Sequence, residues 1–274
     1  MQIDSLTHGR EEALAKNIGL PAQLEVGMVK VPHLQRAGGV LVGMVALASS
    51  SVAEGPTPVA EPSVFVTVPS QPINAGDAKI ATLAYYDSGA YQKGLDAVVA
   101  QAINWLKSRA SAVQRPALVL DIDETALSNW EILKRDDFGR PIGGPCDLAS
   151  AAPCGWAAWD QLGRDPAIGS TLGLFQQARA INVTVFFITG RPENQRAATE
   201  RNLTAVGYGG YANLYMVPND AHFDSAVDFK TPIRAEIERA GYTIIENMGD
   251  QPSDLMGGHA ERTFLLPNPF YRVP

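Results

Sequence analysis

A short apolar run that ends in two carboxylates limits the possible folds of this chain more than any other segment. Residues 117–120 read Ala-Leu-Val-Leu, and Asp121 and Asp123 follow with one isoleucine between them. A run that is apolar at every position is typical of a strand buried on both faces, as in a parallel sheet. The sequence therefore predicts an α/β fold in which this strand delivers two acidic side chains at its carboxyl end, where such sheets bind ligands.

The two aspartates also have a simpler interpretation. Asp-x-Asp followed by Glu124 and Thr125 is typical of an acidic cap at the start of a helix. The functional interpretation is a cation site. Two carboxylates this close repel each other, so a cation is expected between them. Mg²⁺ fits this position because it prefers oxygen ligands and is commonly held by one or two carboxylates together with phosphate oxygens.

The composition is that of a globular protein in which acidic residues outnumber basic ones. With 274 residues, of which 46% are hydrophobic and 19% charged, the chain is long enough for one sizeable α/β domain. Its net charge is −7, and because residues 1–53 hold four acids and four bases, the remainder carries 25 acids and 18 bases. This balance argues against a nucleic-acid partner or an anionic-membrane surface.

Residues 28–53 have the pattern of a secretory signal peptide. Lys30 and Arg36 precede an uncharged apolar stretch at 37–47, and small residues follow it. The stretch is too short to span a bilayer in the mature protein, and a buried helix is the alternative interpretation. We therefore predict an N-terminal extension and signal peptide over 1–53, translation from Met28, and an exported protein, periplasmic or secreted, with no stable membrane anchor.

The next segments are expected to be a linker and then one folded domain. Residues 54–77 are predicted to form a flexible linker because much of this segment is rich in Pro, Ser, Thr and Val, and the domain is predicted at 78–274. Cys146 and Cys154 lie in a loop rich in Pro and Gly. A short-loop disulfide is compatible with export, whereas two thiols without nearby histidines do not complete a zinc site.

Helical and strand patterns alternate along the domain. Helices are predicted at 92–110, 169–180, 194–206 and 230–240. Further strands are predicted at 183–191, 213–217, 242–250 and 262–266. The alternation indicates a doubly wound, mostly parallel sheet flanked by helices, with a small insertion at 126–168 after the first core strand.

Polar residues follow these elements at four places. They are Asp121 with Asp123, Thr189 with Gly190, Lys230, and Asp250 with Asp254. Each signal is weak alone, but the carboxyl ends of parallel strands meet at one edge of a sheet. Together they form the set required for phosphoryl transfer through a covalent intermediate: a carboxylate that attacks phosphorus, a second that transfers protons, and groups that neutralise the phosphate oxygens.

Five segments carry a resemblance to a known family. They are DIDETALSN at 121–129, FITGR at 187–191, FKTPIRAEI at 229–237, GYTIIENMGDQPSDL at 241–255 and RTFLLPNP at 262–269. These segments resemble the haloacid dehalogenase (HAD) superfamily, and in particular its subfamily IIIB, the class B acid phosphatases and plant vegetative storage proteins. The resemblance covers roughly residue 78 to the carboxyl terminus and implies a Rossmann-like, HAD-type core.

The resemblance also implies a role for each motif residue. The implied metal ligands for Mg²⁺ are Asp121, Asp123 (through its backbone carbonyl), Asp250 and Asp254, the last as a ligand or as the neighbour of one. Asp121 matches the nucleophile and Asp123 the general acid and base. Thr189 and Lys230 match residues that contact phosphate, with Gly190 beside them, and Lys230 also restrains the nucleophile.

Three of the four tryptophans lie in the insertion, at 130, 156 and 159. They can simply supply a small core for a loop-rich segment. The functional interpretation is that one or two of these tryptophans form an aromatic wall beside the site, on which a flat leaving group stacks. The preference of some relatives for nucleoside monophosphates is compatible with such stacking, with Trp130, Phe138 or Trp159 as the aromatic clamp on the nucleoside.

The sequence thus predicts a secreted, Mg²⁺-dependent acid phosphatase that hydrolyses small phosphate monoesters through an aspartyl-phosphate on Asp121. Two alternatives use the same residues: a phosphotransferase that passes the phosphoryl group to an alcohol, and a storage or binding protein with weak catalysis. Some storage relatives lack the nucleophilic aspartate, so the presence of Asp121 favours catalysis. The sequence is also compatible with an oligomer.

Overall fold

Five parallel strands form a single sheet. In the computed structural model, which describes residues 71–274, they are β1 Pro116–Leu120, β2 Thr184–Pro192, β3 Asn213–Val217, β4 Thr243–Gly249 and β5 Thr263–Leu265. Their order is β3-β2-β1-β4-β5, and every neighbouring pair is parallel. The chain runs outward from β1 in one direction and then crosses to β4 on its other side. This reversal places the crevice at which α/β sheets bind ligands beside the end of β1, and the predicted fold class is confirmed.

Helices connect these strands and extend the domain at its beginning. They are α1 Ala75–Asp87, α2 Ala90–Arg109, α3 Trp130–Arg135, α4 Trp156–Leu162, α5 Gly169–Ala180, α6 Arg196–Ala205, α7 Ala226–Arg239 and α8 Pro252–Leu255. α1 begins inside the segment expected to be a linker, because the side chain of Asn74 accepts a hydrogen bond from the backbone N–H of Gly76 at 2.8 Å and caps the helix. Order therefore begins before residue 78.

The start of α7 differs from the prediction in a way that matters for the site. The sequence predicts Lys230 at the helix start, whereas the helix begins at Ala226 and Lys230 lies inside it. The carboxylate of Asp228 accepts a hydrogen bond from the backbone N–H of Ser225 at 3.1 Å, as in a capping box, and this sets the earlier start. Lys230 is consequently held by a full helical turn on its N-terminal side.

The apolar residues of β1 divide between two cores, one on each face of the sheet. Leu118 and Leu120 belong to the core that also contains the buried residues of α2 and α5. Ala117 and Val119 belong to the smaller core on the opposite face, under α7. Because helices cover both faces, every position of β1 is apolar, as the sequence indicated.

The insertion after β1 is more ordered than its sequence suggested. It contains α3 and α4, and a disulfide joins Cys146 to Cys154. Arg135 at the end of α3 donates hydrogen bonds to backbone carbonyls of the loop between the cysteines, among them that of Asp147 at 2.7 Å. Side-chain bonds of this kind replace regular secondary structure and hold the loop against the domain.

The predicted N-terminal extension, the signal peptide at 28–53 and most of the predicted linker lie outside the described residues. Residues 71–274 belong to one compact unit, which holds the sheet. Among the helices at 71–274, none has both the length and the apolarity that a membrane crossing requires.

One acidic residue is buried in the sheet away from the aspartates. Glu246 in β4 is fully buried, and within residues 71–274 neither of its carboxylate oxygens has a hydrogen-bond partner. Burial raises the pKa of Glu246 well above the ordinary value for glutamate, and the charge of Arg262 offsets this only in part. The folded protein therefore keeps a proton that the unfolded chain releases, so this group favours folding at low pH and loses that contribution as the pH rises.

We predict that Glu246→Gln becomes more stable relative to the wild type as the pH rises. The difference in free energy of unfolding should grow by about 1–3 kcal/mol between pH 4 and pH 7, because glutamine has no proton to lose in the buried site. Denaturant unfolding at both pH values measures this difference, with Glu236→Gln, which alters an exposed residue of α7, as the control. A difference that does not change with pH would contradict the prediction.

Candidate active site

A cavity of about 300 Å³ opens at the carboxyl ends of β1 and β4. Six of the residues singled out in the sequence line it: Asp121, Asp123, Gly190, Lys230, Asp250 and Asp254. They come from four separate segments, and the parallel sheet brings them together because the relevant strand ends lie side by side. The cavity is therefore the place where the chemistry expected from the sequence can occur.

Lys230 lies between two of the aspartates that line this cavity. Its ammonium donates to the carboxylate of Asp121 at 2.5 Å and to that of Asp254 at 2.7 Å. All three side chains are buried. Burial opposes the charge of Lys230, but the two carboxylates outweigh it and keep the lysine pKa above its ordinary value. A permanently charged lysine thus restrains Asp121.

Three carboxylates surround a point that a cation can occupy. Asp121, Asp250 and Asp254 each place one carboxylate oxygen within 4.8 Å of the others, and all three are buried. Burial raises the pKa of Asp121, the charge of Lys230 lowers it, and the neighbouring aspartates raise it further. A divalent cation would relieve this repulsion, and hard carboxylate oxygens are the donors that Mg²⁺ prefers, so the residues fit such an ion.

The end of β4 is shaped to bring Asp254 close. A side chain at Gly249 would collide with the carboxylate of Asp254, so this position requires glycine. Asp254 in turn accepts a hydrogen bond from the backbone N–H of Gln251 at 2.9 Å, which caps the short helix α8. The carboxylate of Asp250 accepts from the side-chain amides of Gln251 and Asn268, both at 2.6 Å. These amide bonds orient Asp250 toward the other two acids.

Asp123 has different neighbours from Asp121. Its carboxylate is held by Arg191, whose guanidinium donates to it at 2.6 Å, and by the side-chain amide of Asn129 at 2.9 Å. Burial alone would raise the pKa of Asp123, but Arg191 and Asn129 together hold it below the usual value. The side chain of Asp123 is not one of the three in the carboxylate cluster, and its backbone contact to the metal stays a prediction.

Arg191 connects Asp123 to the insertion. The arginine is buried and lies 3.3 Å from a carboxylate oxygen of Asp160 and 3.2 Å from one of Asp165. Burial raises the pKa of Asp160 to about 8 and that of Asp165 to about 6, although the charge of Arg191 opposes both shifts. One guanidinium therefore joins three carboxylates and sets the position of Asp123.

The turn after Asp123 is closed by Glu124. Its backbone has a φ of +52°, in the left-handed region that residues with a side chain rarely adopt. The carboxylate of Glu124 is fully buried and accepts hydrogen bonds from the backbone N–H of Asn129 at 2.5 Å and from the Tyr271 hydroxyl at 2.9 Å. Burial raises the pKa of Glu124 to about 8. These contacts tie the carboxyl-terminal segment to the acidic turn.

Thr189 and Gly190 occupy the end of β2. Gly190 is exposed and lines the cavity, whereas the side chain of Thr189 is fully buried and its hydroxyl accepts a hydrogen bond from the backbone N–H of Arg191 at 3.1 Å. Thr189 is not among the residues that line the cavity. Its predicted contact with phosphate stays a prediction.

Trp130, Phe138 and Trp159, the candidates for the aromatic wall, do not line the cavity. The ring of Trp130 stacks on Tyr86 of α1, with 3.6 Å between the ring centres, and contacts Phe138 and Phe270. Trp159 is completely buried, and its indole N–H donates to the side chain of Asn129. These aromatic residues pack as a small core for the insertion, which was the alternative interpretation, because their rings find apolar partners on α1 and the carboxyl-terminal segment.

Several cavity residues were not assigned to the site from the sequence. They are Arg140, Trp156, Asp160, Arg191 and Tyr271. Arg191 could have been found, since it directly follows Gly190 at a strand end. Trp156 stands out with the other tryptophans of the insertion, but nothing in the sequence separates it from Trp130 and Trp159. The remaining three carry no local signal, and only the folded chain shows that they line the cavity.

The fold and site can be compared with known proteins. The class C acid phosphatase from Bacillus anthracis superimposes with a TM-score of 0.57 over 72% of this chain and 86% of that chain, at 20% sequence identity, and shares the fold. The chain is 30% identical to the Stem 28 kDa glycoprotein of Glycine max, over 76% of this chain and 78% of that protein. These matches cover most of the described domain.

Two further relatives match over shorter regions. Acid phosphatase 1 of Solanum lycopersicum is 32% identical over 58% of this chain and 60% of its own length, and Vegetative storage protein 1 of Arabidopsis thaliana is 29% identical over 57% and 55%. Both matches thus span less than two thirds of the relative. Residues 66–274 match the HAD superfamily, subfamily IIIB (acid phosphatase), as a whole. The chain therefore belongs to subfamily IIIB of the HAD superfamily, the acid phosphatase subfamily.

Proposed function

We propose that this protein is an exported, Mg²⁺-dependent acid phosphatase that hydrolyses phosphate monoesters through an aspartyl-phosphate on Asp121. The observation that carries the proposal is the buried Asp121 carboxylate, held by Lys230 at 2.5 Å within a cluster of three carboxylates. Membership of the acid phosphatase subfamily supports the same reaction class. A restrained carboxylate beside a cation site is what covalent phosphoryl transfer requires.

The residues of the cavity have separate tasks in the first step. A carboxylate oxygen of Asp121 attacks phosphorus, and the bond between phosphorus and the ester oxygen breaks. Asp123 acts here in its protonated form, which acidic pH favours, and donates this proton to the departing alkoxide, which leaves as an alcohol. The low pKa that Arg191 gives Asp123 then leaves it ionised and able to accept a proton in the next step. The ammonium of Lys230 and the backbone at Gly190 lie where they can neutralise oxygens of the phosphoryl group. Asp121, Asp250 and Asp254 would hold Mg²⁺, which when bound supplies positive charge for the phosphate oxygens.

The second step returns the enzyme to its starting state. A water molecule attacks the phosphorus of the aspartyl-phosphate, and Asp123 accepts the proton that this water loses. Inorganic phosphate leaves, and Asp121 is again a free carboxylate. Arg191 keeps the carboxylate of Asp123 in one position throughout, because it donates to both of its oxygens.

A storage function without turnover is the second candidate. The observation that favours it is the set of relatives named as vegetative storage proteins and stem glycoproteins. The nucleophile position in this chain is occupied by aspartate, and the side chains around it are arranged for catalysis, so we favour the phosphatase.

Export is supported by two features. The pattern at 28–53 is that of a signal peptide, and the disulfide between Cys146 and Cys154 is of a kind that persists in oxidising compartments. Amino-terminal sequencing of protein recovered outside the cytoplasm tests this, since a chain that retains residues 28–47 contradicts cleavage.

Metal removal tests the proposed function directly. With 4-nitrophenyl phosphate at mildly acidic pH, we expect EDTA to lower the rate about 100-fold or more and Mg²⁺ to restore it. Asp250→Asn should raise the Mg²⁺ concentration needed for half-maximal activity by about tenfold or more, since it removes one ligand charge. Asp87→Asn, which changes an exposed residue at the end of α1, is the control. Full activity in the presence of EDTA would refute the metal-dependent mechanism, and no activity under any metal condition would favour storage.

A further inference from the structure

One basic residue on the wall of the catalytic cavity has no place in the mechanism above. Arg140 lies in the insertion, between α3 and α4, and lines the same cavity as Asp121. The central carbon of its guanidinium lies 4.6 Å from the ring centre of Trp156 and 5.1 Å from that of Tyr271, both of which also line the cavity. Two aromatic faces therefore hold the guanidinium, by contacts that leave its N–H edge free to donate.

In the part of the chain that the structure describes, Arg140 forms no close ion pair, in contrast to the other basic residues of the cavity, although its charge lowers the pKa values of Asp123 and Asp160. Lys230 contacts Asp121 and Asp254, and Arg191 contacts Asp123 and two further aspartates. Within residues 71–274, Arg140 forms no ion pair at 4.0 Å or less, and its Nε is buried without a hydrogen-bond acceptor. The terminal nitrogens of the guanidinium are not buried in this way and have no hydrogen-bond acceptor within these residues either, so they are the donors that an acceptor from outside the chain can satisfy.

The segment that carries Arg140 is fixed to the rest of the insertion. The carbonyl of Pro141 accepts a hydrogen bond from the backbone N–H of Trp156 at 2.7 Å, and the carbonyl of Ile142 accepts one from Ala157 at 3.1 Å. The disulfide between Cys146 and Cys154 closes the loop that connects these two hydrogen-bonded segments. The guanidinium is thus positioned before a ligand arrives, which lowers the entropy cost of binding.

We propose that Arg140 binds a second anionic group of the substrate, and that the enzyme prefers phosphate monoesters whose organic part carries a carboxylate or a further phosphate. This inference rests on the proposed function and names its substrate class. Lys230 and the carboxylate cluster already serve the phosphoryl group that is transferred. The fork of an arginine matches a carboxylate or a phosphate with two parallel hydrogen bonds, and the rings of Trp156 and Tyr271 offer an apolar surface to the part of the substrate between its two anions.

Phosphate esters that differ only in a second anionic group distinguish recognition of that group from a general role of Arg140 in catalysis. Phenyl phosphate carries one anionic group, whereas 3-carboxyphenyl and 4-carboxyphenyl phosphate add a second on the same ring. With Mg²⁺ present, we expect the wild type to have a kcat/KM about tenfold or more higher for at least one carboxylated ester, as a charged hydrogen bond implies. Arg140→Gln should remove that preference and leave kcat/KM for phenyl phosphate within about twofold. Arg140→Lys should keep part of the preference, since it retains the charge without the fork.

Arg164→Gln is the matched control. Arg164 is an exposed arginine of the same insertion that packs over Trp159 and does not line the cavity. This variant should keep the wild-type preference. Equal losses on all three esters in Arg140→Gln, or a wild type without preference for a carboxylated ester, would overturn the proposal.

A binding measurement keeps the inference separate from the proposed function. Titration calorimetry of the carboxylated esters with Asp121→Asn, in which attack on phosphorus is blocked, measures recognition without turnover. Adding Arg140→Gln to this variant should weaken binding of the preferred carboxylated ester about tenfold and leave that of phenyl phosphate unchanged. If the wild type shows no turnover but Arg140→Gln still weakens binding of the carboxylated ester, the phosphatase is contradicted and the anion site is supported. If Arg140→Gln does not change binding of the carboxylated ester, the anion site itself is refuted.

Discussion

Asp121→Asn is expected to lower kcat for 4-nitrophenyl phosphate on the order of 10⁴-fold or more. The amide of asparagine keeps the shape of the side chain but is a poor nucleophile, so no aspartyl-phosphate can form. The variant also loses one charge of the three-carboxylate cluster and therefore weakens the metal site. Steady-state kinetics with saturating Mg²⁺ measures the effect on chemistry apart from the effect on metal affinity.

The same variant should keep the fold. Lys230 retains its contact with Asp254 at 2.7 Å, so the buried ammonium is not left without a partner. Thermal unfolding should remain cooperative, and Asp87→Asn should behave as the wild type in both measurements. A kcat within about tenfold of the wild-type value would refute the covalent mechanism.

Arg191→Met is expected to lower the free energy of unfolding by about 3–5 kcal/mol, the cost of breaking a buried ion pair from one side. The guanidinium is buried and lies within 3.3 Å of carboxylate oxygens of Asp123, Asp160 and Asp165. Methionine fills much of the same volume, so the loss arises from uncompensated carboxylates rather than from a large void. Denaturant unfolding at pH 7 measures it. Turnover should fall as well, because Asp123 loses the group that orients it.

A double variant identifies the cause of this loss. If repulsion among the orphaned carboxylates destabilises Arg191→Met, then Asp165→Asn should be destabilising alone but should cost less, or nothing, when combined with Arg191→Met. Arg239→Met, which removes an exposed arginine at the end of α7, controls for loss of positive charge and should shift the free energy of unfolding by less than about 0.5 kcal/mol. Additive losses in the double variant would show that Arg191 stabilises the fold by packing alone.

The elements of the core were predictable because their signals are local. The strand at 213–217 and the helix at 169–180 have the predicted bounds, and β1, β2, β4 and β5 lie within a residue or two of theirs. Burial on both faces makes a parallel strand apolar throughout, and a run of this kind is visible in the sequence. The start of α7 was misplaced because the cap formed by Ser225 and Asp228 lies before the apolar pattern begins.

The acidic part of the site was also predictable, for a topological reason. Asp121 and Asp250 each follow a strand, and parallel strands direct their carboxyl ends to one edge. The aromatic part of the site was not predictable from the sequence. The spacing of Trp130, Trp156 and Trp159 does not reveal which ring meets α1, which is enclosed and which reaches the cavity, since that depends on how the insertion folds back on the sheet.

By itself the sequence determined that two carboxylates leave a central strand together and that further acids and a lysine follow at the ends of later elements. The resemblance implied different roles for the two aspartates, but only the tertiary structure shows the contacts that distinguish them. Asp121 lies against Lys230 and the other acids, whereas Asp123 is turned toward Arg191 and the insertion. The physical reason is that the charge and function of a carboxylate depend on the groups around it, and those groups come from segments far apart in the chain.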